Sequence, residues 1–365
     1  MTPATHYPMS PRLRVSLVRR GSGGPALSRR TNELPIMRGY SLVTNPDLAP
    51  WEQRTAVSLA RAIAALQRAP AARCLTHTSA ALVLGLGMWA QEPDVHLATA
   101  CRPRRTATRL PAVHYPRTGP PTPAPGGPRV GAKVVHLRRR RLDLPGEDII
   151  EVAGLPVTTA LRTAFDCACD EPAHNALCIA DSALRLVCDP CTWRPGQCEA
   201  PLAQARAAWQ RMIEAGAGRH GIRQARAVLA AASPWSDSPA ESLVRWLVLA
   251  LGLPAPELQH PVEGRRGTRY LDLSWPGLRI VLEVDGRMKY QAPQDIYDEK
   301  LRQDDIHSQG WTMLRIPTED LRDLHALAGR ILALFPAPVL AGLRPDPLLR
   351  GTGLWGSHSE GPVLL

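Results

Sequence analysis

Apolar residues in this chain recur at helical spacing in some stretches and alternate or cluster as strands in others. From Trp51 to Leu66 they fall on one helical face, which predicts a helix. Cys74-Leu75 reads as the end of a strand, Thr76 to Ser79 as a cap, and the residues to Leu84 as a short helix closed by Gly85 or Gly87. Val95-His96-Leu97-Ala98 and Lys133 to Leu137 are strand-like. Arg162 to Asp166 opens a helix, Ala176 to Val187 forms another, and the Ala- and Arg-rich stretch 200–232 keeps helical spacing. Gly119 to Arg129 is dense in Pro and Gly and reads as a loop.

The later part of the chain is patterned more sharply. Ser238 suits an N-cap, Pro239 the first helical position, and the apolar run to Leu251 ends at Gly252. Arg269 to Trp275 and Leu278 to Leu282 read as strands, and Pro276-Gly277 between them predicts a hairpin. A charged segment from Gln294 to Gln309, a strand from Trp311 to Ile316 and helical spacing from Leu321 to Leu334 follow. The predicted order is helix, strand, strand, helix, strand, helix, an α/β domain over 236–335.

Acids fall at particular places in that pattern. Side chains alternate along a strand, so Glu283 and Asp285 project from one face, and Asp272 stands on the facing strand. Three carboxylates brought together repel one another unless a cation joins them, and oxygen ligands suit Mg²⁺ or Mn²⁺. An acid at a strand end is more often solvated or a gatekeeper against aggregation, and for Asp272 alone that reading prevails. Glu241 fits a capping box with Ser238 as well as it fits a site. Lys289, Lys300, Arg287, Arg302 and Arg315 are the cations within reach, the two lysines as candidate catalytic groups and the arginines as phosphate contacts.

Composition narrows the field. The 365 residues allow two domains, and 44% hydrophobic content supports real cores although only 5% is aromatic. A net charge of +11 and a pI near 9.7 suit a polyanionic partner. No apolar run reaches membrane-spanning length and no signal peptide is read at the N-terminus, so the expectation is a cytoplasmic protein with reduced cysteines. Cys178, Cys188, Cys191 and Cys198 include one C-x-x-C, but structural zinc wants two such knuckles, so no zinc is expected. The runs Arg102-Pro103-Arg104-Arg105 and Arg138, Arg139, Arg140, Arg141 are candidate contacts to duplex DNA phosphates; a solvated face is the ordinary alternative.

Two family resemblances attach to these residues. Glu241, the Asp272 strand, Glu283-Val284-Asp285-Gly286, Lys289-Tyr290, Glu299-Lys300-x-Arg302 and Gly310-Trp311-x-x-Leu314-Arg315 resemble the very-short-patch-repair-like branch of the PD-(D/E)XK endonucleases. The resemblance implies a restriction-endonuclease-like domain with Asp272 and Glu283 as metal ligands. It places Asp285 where the family carries its Lys. Arg38-Gly39-Tyr40, His77-x-Ser79-Ala80-Ala81, Gly154 to Thr159, Arg162-Thr163-x-x-Asp166 and Asp181 resemble the AbiEi-like antitoxins of type IV toxin–antitoxin systems. That resemblance implies DNA binding and a cognate toxin or a second copy as partner, with Ser79 and Thr158 as caps rather than chemical groups.

The expected organisation is a disordered basic segment 1–36, a mixed α+β antitoxin-like domain 37–187, a loop and helical connector 188–235, the nuclease-like domain 236–335 and a Pro/Gly-rich tail 336–365. The expected function is a metal-dependent DNA endonuclease or nickase with Glu241, Asp272, Glu283, Asp285, Lys289 and Lys300 at its centre. The alternative is a non-catalytic, antitoxin-like DNA-binding regulator built on a degenerate nuclease fold.

Overall fold

The computed structural model describes residues 5–8, 14–19, 33–45, 47–113, 115, 133–264, 267–285 and 306–350. The fold is mixed α/β. The chain divides into two compact units, Met1–Leu86 with Ala90–Thr163, and Gly87–Trp89 with Ala164–Leu365.

The first unit is organised around α1 (Pro50–Arg68). This helix is Ala-rich and buried on all sides from Ala56 to Ala65, the mark of a helix enclosed by other elements. On one side it meets a four-stranded sheet of order β1-β2-β4-β3, built from β1 (Thr5–Pro8), β2 (Arg14–Arg19), β3 (Glu33–Met37) and β4 (Tyr40–Val43). On the other it meets a six-stranded sheet of β5 (Ala72–Leu75), β6 (Val95–Thr99), β7 (Ala107–Arg109), β8 (His136–Arg141), β9 (Ile149–Val152) and β10 (Leu155–Thr158). The order there is β7-β8-β6-β5-β10-β9, and α2 (His77–Leu84) follows β5. One core joins Val15, Leu17, Ile36, Leu42, Val57, Ile63, Leu75 and Leu97.

Within the segment 1–36 expected to be disordered, residues 5–8, 14–19 and 33–36 are strand residues, and the others lie outside the described residues. Val15 and Leu17 are buried while Ser16 and Val18 are only half-buried, and Ile36 joins the two in the core. The period-two pattern is present in Arg14-Val15-Ser16-Leu17-Val18-Arg19, embedded in a basic, Ser- and Pro-rich composition.

The chain passes from the first unit to the second within α3 (Ala160–Asp170). The second unit continues with α4 (Ala173–Cys188), α5 (Glu199–Ala215), α6 (Ile222–Ala231) and α7 (Pro239–Leu251), and α4 packs on the other three. The expected boundaries at 187 and 235 therefore shift, because α4 to α6 are part of this unit rather than a connector. Buried Asp181 of α4 accepts from both Arg245 of α7 and the Ser233 amide, which ties these helices together. Gly221, at φ +77, passes so close to α3 that a Cβ there would lie 1.9 Å from the Cys169 carbonyl oxygen.

A four-stranded sheet of order β11-β12-β13-β14 completes the unit, from β11 (Glu257–Gly264), β12 (Gly267–Trp275), β13 (Ile280–Asp285) and β14 (Thr312–Pro317). β12 and β13 form the expected antiparallel hairpin, and β13 and β14 run parallel. The pattern reading did not anticipate β11. It is an edge strand, mostly uncovered, and Pro261 within it is tolerable only at an edge. After α8 (Leu324–Leu332) come the short helices α9 (Ala337–Ala341) and α10 (Pro347–Arg350). The Trp246 indole donates to the Leu349 carbonyl at 2.8 Å, so residues expected to form a tail are packed on α7. Among the described residues no helix is long and apolar enough to cross a membrane.

Candidate functional site

Four carboxylates come from three elements at one end of the β11–β14 sheet. Leu273 of β12 lies opposite Leu282 of β13, so Asp272 and Glu283 are the next pair along that ladder and share a face. Glu283 is 3% exposed, an expensive place for a charge. Asp272 accepts a hydrogen bond through Oδ2 from the Val284 amide at 3.0 Å, which fixes its carboxylate against β13. The third acid, Glu241, comes from the first turn of α7. Its Oε2 accepts from the Asp237 amide and its Oε1 from the Ser238 hydroxyl, both at 2.8 Å, while the Ser238 hydroxyl accepts from the Glu241 amide at 3.2 Å. The Ser238 half of the expected capping box is therefore formed, while the Glu241 side chain reaches one residue further back, to the Asp237 amide.

That cap does not exhaust the role of Glu241. Burial first, and the negative charge of Asp272 second, push its carboxyl up to about 7, against the two hydrogen bonds that favour ionisation. A carboxyl with this proton affinity exchanges a proton near neutral pH.

Asp285 is placed differently from its partners. Two residues beyond Glu283 on the same strand face, it lies ~6.6 Å further along β13. Its Oδ2 faces Arg315 Nη1 at 3.4 Å, and its carbonyl accepts from the Thr318 amide at 3.2 Å. Arg315 stands opposite Glu283 in the parallel β13–β14 register, so the guanidinium reaches along the sheet end to Asp285. Among the described residues no group of three or more His, Cys, Asp or Glu side chains is placed to hold a metal ion. The three-ligand set of Asp272, Glu283 and Asp285 is accordingly not assembled, because Asp285 turns to Arg315. What the structure brings together is the Asp272–Glu283 ladder pair, with Glu241 near enough to Asp272 to feel its charge. Lys289, Lys300, Arg287 and Arg302 lie outside the described residues.

The basic run of the first unit is a strand. The expected strand ended at Leu137, whereas β8 continues through Arg141 and pairs with β6 and β7. Successive arginines therefore point to opposite faces of a sheet and do not form one continuous phosphate-binding patch. Arg138 Nε lies 2.5 Å from Asp94 Oδ2, and Arg139 donates to the Thr108 hydroxyl at 3.0 Å with its guanidinium pKa lowered by burial. Arg141 is exposed.

Other motif residues hold the fold. Ser79 accepts from the His96 amide at 2.8 Å, joining α2 to β6 rather than capping its own helix. The Thr158 and Thr163 hydroxyls bond each other at 2.7 Å, and Arg162 pairs with Asp148 at 2.8 Å. In the second unit Asp166 pairs with Arg219 at 2.8 Å. None of the eight cysteines forms a disulfide; burial, and the Cys198 thiol beside it, push Cys188 up to about 12, so it is an unreactive buried group.

Two aromatic residues near the acids escaped the sequence reading. Tyr270 precedes Asp272 by two on β12 and shares its face, and the Trp193 ring meets Tyr270 edge-on. Tyr270 was legible from strand alternation. Trp193 was not, since its place depends on how the α4–α5 loop folds back.

Two curated proteins of Mycobacterium tuberculosis, Uncharacterized protein MT2308 of strain CDC 1551 / Oshkosh and Uncharacterized protein Rv2248 of strain H37Rv, are similar to this chain. Each is 30% identical over 217 residues, covering 59% of this chain and 72% of the relative. No family model matches the chain, and no solved structure matches it. The nuclease-like and antitoxin-like resemblances therefore stand on the residues alone.

Proposed function

This chain belongs to the family of the Mycobacterium tuberculosis proteins MT2308 and Rv2248, and from that premise we propose that its second unit is a divalent-cation-dependent, cytoplasmic DNA nuclease. The relatives carry no stated activity, so the support is physical. One observation carries it: a buried Glu283 beside Asp272, with a buried Glu241 that feels the Asp272 charge. Acids crowded in this way gain most from a cation.

The residues fit Mg²⁺ or Mn²⁺ with a smaller set than the sequence suggested. Mg²⁺ keeps several waters and is commonly held by one or two carboxylates plus substrate phosphate, a requirement that Asp272 and Glu283 meet without Asp285. A divalent cation there supplies charge stabilisation for the phosphoryl oxygens and a water of lowered pKa. Glu241 holds or releases a proton beside the pair at neutral pH. Arg315 provides fixed positive charge at the same sheet end, where a DNA phosphate is stabilised as charge develops. The net charge of +11 draws a polyanion toward the chain.

A second reading is favoured by Asp285, which stands where the PD-(D/E)XK endonucleases that the domain resembles carry a Lys and which pairs with Arg315. Under it the domain is an antitoxin-like regulator that binds DNA, with a cognate toxin or a second copy as partner, and does not cut. Incubating the full chain with supercoiled plasmid in Mg²⁺, Mn²⁺ or EDTA separates the two. The nuclease reading expects nicked circles with either metal, none in EDTA and none for Glu283→Ala. Retardation of the plasmid with no nicking under any condition would establish the regulator instead.

A further inference from the structure

Trp193 is 74% exposed, the largest exposure among the big apolar side chains described. Leaving an indole in water forgoes the stabilisation that burying it would give, so such a ring is informative when it is held rather than loose. Trp193 is held: its ring sits edge-on to Tyr270, with centroids 5.5 Å apart and planes at 83°. The loop that carries it is anchored just beyond by buried Cys198, at the entrance to α5.

Position gives the pair its meaning. Tyr270 and Asp272 lie on one face of β12 about 6.6 Å apart along the strand, so the Tyr270 ring adjoins Asp272 on that side of the sheet, with Trp193 set against it. Arg194, next in the chain to Trp193, is exposed and adds positive charge beside the ring. A flat aromatic face, a flanking guanidinium and an adjacent acidic pair suit a nucleotide strand whose base stacks while its phosphate runs toward Asp272. A base within a duplex presents only its edges, its faces being covered by its neighbours, so this surface requires an unpaired base.

We infer that Trp193, braced at right angles by Tyr270, offers its ring as a stacking surface for an unpaired nucleobase, making single-stranded or locally unpaired DNA the substrate class of the adjacent site. The inference rests on the nuclease reading above for its placement, but it concerns binding, which is measured without cleavage.

The test uses fluorescence anisotropy with the full chain in EDTA, on a labelled oligothymidylate and on a strand of equal length and charge made abasic. Wild type is expected to bind the thymidylate about 10- to 100-fold more tightly, the worth of roughly one stacked base. Trp193→Ala should bind both strands equally, while Trp193→Phe, which restores a ring, should recover most of the preference. Circular dichroism of each variant confirms that the fold is kept. Equal binding of the two strands by wild type, no binding of either, or a full preference in Trp193→Ala would each overturn the inference. Plasmid nicking on the same preparations separates the two proposals. Nicking without base preference removes the platform and leaves the nuclease, whereas base preference without nicking at any metal concentration removes the nuclease and leaves the platform.

Discussion

Glu241 serves two ends with one carboxyl. It anchors the first turn of α7 through Asp237 and Ser238, and it lies buried within the field of Asp272; burial first and that charge second raise its proton affinity from 4.5 to about 7. A carboxyl whose folded pKa is raised stabilises the protein fully below its unfolded value and loses that contribution as pH rises through the folded one. The window here runs from about 4.5 to about 7. Glu241→Gln keeps a capping-box side chain and removes the titration. Relative to this variant, wild type should lose up to ~3 kcal/mol of stability across the window, measured by urea unfolding at each end. Parallel pH profiles for the two proteins would contradict the burial of Glu241 against Asp272. The residues of this site were unevenly legible. Asp272 and Glu283 could be placed from alternation and a turn, which are local. The turn of Asp285 toward Arg315 depends on the parallel register of β13 and β14, set by residues far apart in sequence.

At the scale of elements, the helical part of the second unit is held by two devices. The first is the Asp181–Arg245 pair, in which Arg245 is 4% exposed. Asp181→Ala leaves that guanidinium buried without its carboxylate and should cost ~3–5 kcal/mol, while adding Arg245→Met should recover most of the loss. Denaturant midpoints of the single and double variants read this directly; a double variant no better than the single would mean the pair is not the coupling. The second is the close approach at Gly221. Gly221→Ala should destabilise by ~3 kcal/mol or more, since both the backbone angle and the Cys169 carbonyl oppose a Cβ. Gly218→Ala, with a similar angle but open space, should cost only about 1–2 kcal/mol. Helix α7 was readable because its cap and periodicity agree, and most of α4 from its periodicity alone. β2 and β11 were not, one hidden in basic composition and the other an edge strand carrying a proline.

For the molecule as a whole, long-range assembly decided what the pattern left open. The expected boundary lay at the Ser- and Pro-rich stretch near 231–239, yet the units meet within α3, because α4 packs on α7 and draws the intervening helices with it. The arginine run changed meaning for the same reason: as a strand between β6 and β7 it divides its charge between two faces. What survives of the sequence-based functional reading is the acidic pair at the end of the last sheet, and the account depends on that pair binding a cation. Isothermal titration of Mn²⁺ into wild type and into Asp272→Asn with Glu283→Gln tests this most directly. Wild type should take up Mn²⁺ with a defined stoichiometry, and the double variant should show no saturable heat. Saturable binding of equal affinity in the double variant would contradict the account.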